Sequence, residues 1–322
     1  MTLLTAIGLI FGGLVLLAGG GEALVRGATA IARRAGVSPA VIGLTIVAAG
    51  TSLPELVVSV LAALAGEPEI AVGNVVGSNI FNIVGALGIT ALITSLPVHG
   101  SAVKYEWPFM FLVSCVVVLF ARDGMLDRLE GGFMLLSLGL FTVFMVRLAR
   151  REVANQEQLQ FAAEAARRTI RAPEATLGLA MAAVVVGLLL LVLGGSALVS
   201  GAVQLARLAG ISERVIGLTV VAIGTSMPEV AASTVAALRG RTDVAIANLI
   251  GSNIFNILGI LGVSALIRPT AISAVMLNTD MVWMMATAFA LFPIMRTGMR
   301  VSRFEGVLLL AMYVAYLASL LR

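Results

Sequence analysis

The feature that most restricts the fold of this chain is an internal duplication. Residues 43–93 recur at 217–267, and about 30 of the 51 aligned positions are identical by direct count. The offset is constant, since 229 − 55 = 174 for the two glutamates of the repeated segment. Residues 23–45 match residues 197–219 at the same offset. The chain therefore consists of two related halves, and a fold assigned to one half applies to the other.

Long apolar runs indicate that both halves lie in a lipid bilayer. Hydrophobic residues make up 60% of the 322 residues, and charged residues make up only 12%. Several runs exceed the roughly 20 apolar residues that an α-helix needs to cross a bilayer. Backbone groups in lipid must be hydrogen-bonded within each helix, so we predict an all-α polytopic membrane protein. The ten predicted spans are 2–32, 39–64, 70–95, 103–121, 130–149, 175–208, 213–238, 243–267, 274–295 and 303–321.

Ten spans in two repeats give five spans per repeat. Because five is an odd number, the second repeat must enter the membrane from the opposite side. The sequence therefore predicts inverted repeats related by a pseudo-two-fold axis in the membrane plane. The predicted division is an N-terminal repeat at 1–149, a polar linker of helical composition at 150–174, and a C-terminal repeat at 175–322.

The first and sixth predicted spans are longer than a bilayer requires. Such helices either tilt strongly in the membrane or break. The candidate breaks are the glycine groups Gly19-Gly20-Gly21 and Gly194-Gly195.

Arginine and lysine residues indicate the orientation, because cytoplasmic connections carry an excess of both. The excess lies on the side of the central linker, which includes Arg150 and Arg151. We therefore predict a cytoplasmic linker and two external termini, which would lie in the periplasm if the host is a Gram-negative bacterium. No basic segment precedes the first apolar run, which favours a retained span over a signal peptide.

The first motif of the repeat is GTSLPE at 50–55 and GTSMPE at 224–229. Proline lacks an N–H group and clashes with the carbonyl four residues earlier, so the helix should open just before Glu55 and Glu229. Free carbonyls, hydroxyls and a carboxylate are hard oxygen ligands, which suit Ca²⁺ and Na⁺. The alternative is a plain proline kink whose glutamate bonds a neighbouring helix, but two copies in an inverted pair favour an ion site.

The second motif is GSNIFN, at 77–82 and 251–256. Ser78 and Asn82 are four residues apart and share a helix face, as do Ser252 and Asn256, and we favour ion ligation for these four. The alternative is polar contact between helices, which remains equally open for Asn79 and Asn253. Two further acids at the 174 offset, Glu106 and Asp280, are interpreted as interfacial, and the methionines as lipid-facing or core filler.

At these motifs the chain resembles the sodium/calcium exchanger family of the cation/calcium antiporter superfamily, most closely its prokaryotic members. The resemblance implies ten helices, a core formed by the two motif pairs, and first and sixth helices that slide across that core. It implies a calcium site formed by Glu55, Glu229 and the backbone oxygens of Thr51 and Thr225. It implies flanking sodium sites formed by the carbonyls of Ala48 and Ala222 with Ser52, Ser78, Ser226 and Ser252.

The positions at Asn82 and Asn256 are where members of that family differ, since some carry an aspartate there. Asparagine at both positions favours a site with two carboxylates and weakens a potassium-dependent interpretation. The resemblance implies electrogenic exchange of Na⁺ for Ca²⁺ by alternating access. The alternative is a proton-coupled Ca²⁺ exchanger of the same fold.

Two other classes of protein fit the sequence less well. A cation channel would more typically place identical subunits or loops around an axis normal to the membrane, and an intramembrane enzyme would have no use for the Thr, Ser and Asn residues around its acids. One cysteine and one histidine make a zinc site improbable. We therefore expect no enzyme activity and no cofactor, with Ca²⁺ and Na⁺ as transported substrates.

The predicted partners are those two ions and the lipid bilayer. The net charge of +4 does not indicate nucleic-acid binding, because the basic residues lie between apolar runs rather than on one face. The sequence leaves the oligomeric state open and is compatible with a monomer.

Overall fold

A computed structural model describes residues 3–164, 176–208 and 222–320. Within these ranges the chain is helical apart from four two-residue strands and short connections. The N-terminal half contains α1 (Leu3–Ala35), α2 (Pro39–Thr51), α3 (Leu53–Ala65), α4 (Pro68–Ile93), β1 (Leu96–Pro97), α5 (Ala102–Asp123), β2 (Met125–Leu126) and α6 (Arg128–Glu164). The C-terminal half contains α7 (Leu177–Leu208), α8 (Ala222–Thr225), α9 (Met227–Leu238), α10 (Thr242–Ile267), β3 (Thr270–Ala271), α11 (Met276–Met299), β4 (Arg300–Val301) and α12 (Arg303–Leu320).

The described helices confirm an all-α membrane protein. Eight helices are long and apolar enough to cross a bilayer, and α2 with α3 forms a ninth candidate span bent by 47°. The predicted span at 213–238 lies partly outside the described residues, and its described part consists of α8 and α9. The described residues thus give up to nine spans where the sequence predicts ten.

Helix α6 extends beyond the predicted end of the first repeat at residue 149. It continues without interruption to Glu164, so the first part of the predicted 150–174 linker prolongs the fifth span. Residues 165–175 of that linker lie outside the described part of the chain.

Helices α1 and α7 pack antiparallel along a seam of small residues. A Cβ atom on Gly20 would lie 2.9 Å from the carbonyl oxygen of Gly187, and one on Gly27 would lie 2.7 Å from that of Ala180. Small residues allow this close approach of two backbones in lipid. The seam pairs every seventh residue of the two helices: Ala6 with Gly201, Gly13 with Gly194, Gly20 with Gly187 and Gly27 with Ala180.

The seam also decides between tilt and breakage for the two long spans. Both α1 and α7 are continuous through their glycines, so the suggested breaks at 19–21 and 194–195 do not occur. The glycines at 13, 20, 187 and 194 allow the two helices to approach closely and do not interrupt them.

Two short β-ribbons join the halves in a reciprocal pattern. β1 pairs antiparallel with β4, placing Leu96 opposite Val301. β2 pairs antiparallel with β3, placing Leu126 opposite Thr270. Because 96 + 174 = 270, β1 and β3 are equivalent in the repeat, yet each pairs with the strand that follows the fourth span of the other half.

Helices α4 and α10, which carry the GSNIFN motifs, form the centre of the molecule. In their most apolar stretches 78% of the residues are buried, against 22–33% in the other long helices. Each helix changes locally to π-helical geometry where its motif ends. The π-helical segment is Phe81–Ala86 in α4 and Asn256–Leu261 in α10. Such π-bulges are frequent at functional sites, and here they lie next to Asn82 and Asn256.

Candidate functional site

The two GTSxPE motifs interrupt their helices at serine. Ser52 has φ −84° and ψ 11°, between α2 and α3, and Ser226 has φ −91° and ψ 8°, between α8 and α9. Pro54 and Pro228 follow in the first turn of the next helix, where their missing N–H groups are harmless. The predicted opening of both helices just before the glutamates is confirmed.

The two glutamates are buried and face each other's motif. Glu55 is 1% exposed and Glu229 is 0% exposed. Ser52 donates a hydrogen bond to Oε1 of Glu229 at 2.8 Å, and Ser226 donates one to Oε1 of Glu55 at 3.0 Å. Each carboxylate is therefore held by the serine of the other repeat, so the site lies between the two halves.

Four buried oxygens of this region have no hydrogen-bond donor among the described residues. They are Oε2 of Glu55, Oε2 of Glu229, Oδ1 of Asn82 and Oδ1 of Asn256. Two of them belong to carboxylates and two to amides, and the members of each pair are related by the 174 offset. Buried acceptors without donors are costly, and a cation is the partner that would satisfy all four.

Hydroxyl and carbonyl oxygens from the predicted ligand set surround the carboxylates. Ser252 Oγ lies 3.5 Å from Glu229 Oε1 and 3.5 Å from the carbonyl oxygen of Ala48. Thr51 Oγ1 lies 3.3 Å from the same carbonyl. Ser78 Oγ lies 3.3 Å from Ser226 Oγ. The structure thus brings together the two glutamates, the four predicted serines and the carbonyl of Ala48.

The two remaining predicted ligands, Thr225 and Ala222, lie in α8 on the chain segment that leads to Glu229. Thr225 is half-buried, whereas its equivalent Thr51 is 1% exposed. The same difference separates Asn74, which is half-buried, from Asn248, which is 1% exposed. The site is therefore symmetric in its residues and asymmetric in its exposure.

Asn79 and Asn253, which the sequence leaves open between ligand and helix contact, bond the other asparagines across the repeats. Asn253 accepts from Nδ2 of Asn82 at 3.1 Å, and Asn79 accepts from Nδ2 of Asn256 at 3.3 Å. Their own amide nitrogens lie against methionine sulfur atoms. Met110 and Met284 share the offset of 174, which is the one signal in the sequence that sets these two methionines apart.

A second pair of asparagines braces the helices next to the site. Asn74 donates to Ser59 Oγ at 2.9 Å, and Asn248 donates to Ser233 Oγ at 3.0 Å. Asn74 also donates to the backbone oxygen of Glu55 at 3.0 Å. These contacts fix the helices that carry the glutamates against α4 and α10.

Two other acids differ from the central glutamates in their surroundings. Glu22, which has Ser196 at its equivalent position, forms ion pairs with Arg239 at 2.7 Å and with Arg26. Glu106, interpreted as interfacial from the sequence, is 2% exposed and therefore buried within the protein. Its equivalent Asp280 is half-buried.

The chain is similar to known proteins over both of its halves. The chain matches the family described as sodium/calcium exchanger protein over residues 5–147 and 179–322. It is 42% identical over 308 residues to "Putative antiporter CaxA" of Alkalimonas amylolytica, covering 94% of this chain and 95% of that protein. It is 37% identical over 322 residues to inner membrane protein YrbG of Escherichia coli, covering 99% and 97%.

Among solved structures, the chain is similar to the sodium-calcium exchanger NCX_Mj. The TM-score is 0.82 with 30% sequence identity, and the superposition covers 99% of this chain and 99% of that one. That structure is described as soaked with Na⁺ and Sr²⁺ and as addressing extracellular ion exchange and occlusion of a binding site.

Proposed function

The chain belongs to the sodium/calcium exchanger protein family and is a membrane antiporter of the cation/calcium type, and on that premise we propose that it exchanges Na⁺ for Ca²⁺. The site between the repeats is the proposed transport site, with the twelve ligands named above. A relative of similar length is named an inner membrane protein, which supports placement in a prokaryotic plasma membrane.

The observation that carries this proposal is the set of four buried oxygens without donors. Two carboxylates held in lipid without a positive partner would be strongly unfavourable. No basic side chain is hydrogen-bonded or ion-paired to either glutamate among the described residues. A metal cation bound by carboxylate, amide, hydroxyl and carbonyl oxygens offsets that cost, and such ligands suit Ca²⁺ and Na⁺.

Charge explains why the two ions should exclude each other. The two glutamates give the site a charge of −2, which one Ca²⁺ neutralises and two Na⁺ neutralise equally. One Ca²⁺ and two Na⁺ cannot bind the same four oxygens at the same time, so Na⁺ binding displaces Ca²⁺. Flanking oxygens at Ala48, Ala222 and the serines supply room for further Na⁺, which makes the exchange electrogenic.

Inverted repeats supply the alternating access in this proposal. The antiparallel packing of the equivalent helices α1 and α7 and the reciprocal strand pairing support two five-span repeats of opposite orientation. The tenth span is assigned to 213–238, and the repeats to 1–149 and 175–322. The proposed orientation keeps the 150–174 linker in the cytoplasm and both termini outside.

Exposure indicates which way the site opens in this conformation. In the proposed orientation, Thr51 and Asn248 lie on the cytoplasmic side of the glutamates, and both are 1% exposed. Their equivalents Thr225 and Asn74 lie on the external side, and both are only half-buried. We therefore assign the described conformation to the outward-facing state of the transport cycle.

Protons are the alternative counter-ion. Two protons on Glu55 and Glu229 would neutralise the site as two Na⁺ do, and the serine contacts at Oε1 leave Oε2 of each glutamate available. The paired amide oxygens of Asn82 and Asn256 favour Na⁺, because a proton needs no further oxygen ligands.

Radiolabelled Ca²⁺ uptake into proteoliposomes tests the proposal. Uptake should be driven by an outward Na⁺ gradient, and should be small with matched K⁺ or H⁺ gradients. A membrane-potential dye should report charge movement during the Na⁺-driven uptake. Uptake that follows the H⁺ gradient and ignores Na⁺ would establish the proton-coupled alternative instead.

A further inference from the structure

We propose that two side-chain relays, one beside each asparagine ligand, aim the amide oxygens of those ligands at the transported ion. The inference deepens the proposed function and rests on it. The first relay consists of Met110, Asn253 and Asn82, and the second of Met284, Asn79 and Asn256. Asn79, Asn253 and the two methionines are positioning residues, because each acts on the ion through another side chain.

The last step of each relay is a hydrogen bond between asparagines of different repeats. Nδ2 of Asn82 donates to Oδ1 of Asn253 at 3.1 Å, and Nδ2 of Asn256 donates to Oδ1 of Asn79 at 3.3 Å. An amide carries its acceptor and its donor on opposite branches. Using the nitrogen for the neighbour therefore turns the oxygen away from the neighbour, and both oxygens lack any donor among the described residues.

The preceding step fixes the orientation of Asn79 and Asn253 themselves. Nδ2 of Asn253 lies 3.7 Å from Sδ of Met110, and Nδ2 of Asn79 lies 3.8 Å from Sδ of Met284. A thioether sulfur accepts weakly and cannot donate. It therefore favours the amide nitrogen over the amide oxygen at that place, which leaves the oxygen of each asparagine for the ligand amide.

One further hydrogen bond connects the first relay to the second. Nδ2 of Asn253 also lies 3.3 Å from the backbone oxygen of Asn79. Reversing the Asn253 amide would therefore place its oxygen against two acceptors, at a residue that is only 1% exposed. The buried network has one consistent arrangement of donors and acceptors.

The relays matter because an ion site loses affinity when a ligand amide rotates so that its nitrogen, instead of its oxygen, faces the ion. A reversed Asn82 or Asn256 would present an NH₂ group to the cation and bring two oxygens together behind it. Supporting hydrogen bonds that orient metal ligands commonly change affinity by about tenfold or more. The relays thus hold two neutral ligands ready without adding charge to the site.

The main test uses Asn79→Leu in two backgrounds. In the otherwise native protein we expect the Ca²⁺ concentration for half-maximal exchange to rise about tenfold, with the maximal rate changed less than about twofold. In the Asn256→Asp background the same substitution should change that concentration less than about twofold, because both branches of a carboxylate end in oxygen. An equal loss in both backgrounds would mean that Asn79 only fills space, and would overturn the relay.

A conservative pair of variants tests the sulfur step without disturbing packing. Met284→Leu removes the acceptor at nearly constant volume, and we expect Ca²⁺ affinity to weaken several-fold. Met134→Leu is the matched control, since Met134 is 1% exposed and lies in α6, outside both relays. Identical Ca²⁺ affinity for the two variants would remove methionine from the relay.

Glu229→Gln separates a failure of the relay from a failure of the site. If Glu229→Gln abolishes exchange while Asn79→Leu is silent, the transport site stands and the relay is wrong. If Glu229→Gln exchanges Ca²⁺ normally, the proposed site is wrong and the relay falls with it.

Discussion

Ser52 donates its hydroxyl to Glu229 of the other repeat, although Glu55 lies only three residues further along its own chain. Ser226 makes the reciprocal bond to Glu55. Neither half of the protein therefore completes its own carboxylate, and the geometry of the acids depends on how the two halves are assembled. This dependence provides the first of five predictions.

Double-mutant cycles should detect the crossed hydrogen bonds. In ion-free protein, Ser52→Ala should lower the free energy of unfolding by about 1–3 kcal/mol, because Oε1 of the buried Glu229 loses its 2.8 Å donor. Thermal unfolding should show that Ser52→Ala couples strongly to Glu229→Leu and weakly to Glu55→Leu, since leucine has no acceptor oxygen. Stronger coupling within one repeat would contradict the crossed arrangement. Ser114→Ala serves as the control, since Ser114 is buried and bonds the carbonyl of its own helix.

Either glutamate is expected to be essential for calcium exchange. Glu55→Gln or Glu229→Gln removes one of two charges from the buried site, and a divalent ion loses more from that change than a monovalent one. Radiolabelled Ca²⁺ uptake should fall by more than about a hundredfold, with folding near normal by size-exclusion chromatography. Glu67→Gln, in an exposed connection, should keep full activity. Robust transport by either site variant would exclude a site with two required carboxylates.

Accessibility labelling should reveal opposite faces for the linker and the C-terminus. Cysteines introduced at Gln156 and Ser319, after replacement of Cys115, should react with an impermeant reagent from opposite sides of the membrane. The odd number of spans in each proposed repeat requires this result. Reaction of both cysteines from one side would rule out the inverted ten-span arrangement.

Substitution of one asparagine ligand by an acid should change the ion selectivity. Asn256→Asp places a third carboxylate beside Glu55 and Glu229, and like charges this close together favour uptake of a proton or an extra cation. Exchange should become more strongly dependent on pH near neutrality, measured as Na⁺-driven Ca²⁺ uptake over a pH series. Asn79→Asp, one step removed from the ion, should have the smaller effect. An unchanged pH profile and selectivity for Asn256→Asp would leave that residue as a contact between helices.

Two adjacent glycines give a matched test of the helix seam. Gly20 faces α7, whereas Gly19 has no heavy atom within 4 Å of the place its Cβ would take. Gly20→Ala should reduce the free energy of unfolding by about 1–3 kcal/mol through overpacking and should slow exchange. Gly19→Ala should be neutral or slightly stabilising, because alanine favours helix by up to about 1 kcal/mol. Equal melting temperatures for the two variants would show that the seam does not limit packing.

The sequence predicts the all-α membrane class and the burial of the two repeated glutamates, because each feature occurs in both copies of the duplicated segment. A carboxylate that recurs in two apolar segments with its proline and serine is difficult to explain by packing alone. The structure confirms the helix openings before Glu55 and Glu229 and the burial of both side chains. The apolar runs also locate the described spans to within a few residues, although α6 continues to Glu164.

Contacts between the halves could not be predicted in the same way. A repeat offset shows which residues are equivalent, but it does not show which residues meet across the interface. The sequence alone is equally compatible with a hydrogen bond from Ser52 to Glu55 and with one from Ser52 to Glu229. Asn79 and Asn253 form hydrogen bonds with Asn256 and Asn82. These contacts depend on how α4 and α10 cross, which is a property of the tertiary structure.

The contacts of the glycines and methionines depend on tertiary packing in the same way. Gly20 and Gly194 were considered as points of helix breakage, whereas their role is to let α1 and α7 approach each other. Met110 and Met284 were interpreted as filler because methionine tolerates many environments. Their shared offset of 174 shows that they are equivalent, but it does not show which side chains they contact.

The reciprocal β-ribbons have a consequence for the origin of this architecture. Because β1 pairs with β4 and β2 with β3, each ribbon joins two strands that are not equivalent in the repeat. In the proposed arrangement of two five-span repeats, a five-helix ancestor able to insert in either direction would form both ribbons, and both serine–glutamate bonds, by pairing with an identical copy. The same arrangement predicts that the two halves, made as separate polypeptides divided within the proposed 150–174 linker, would assemble with each other.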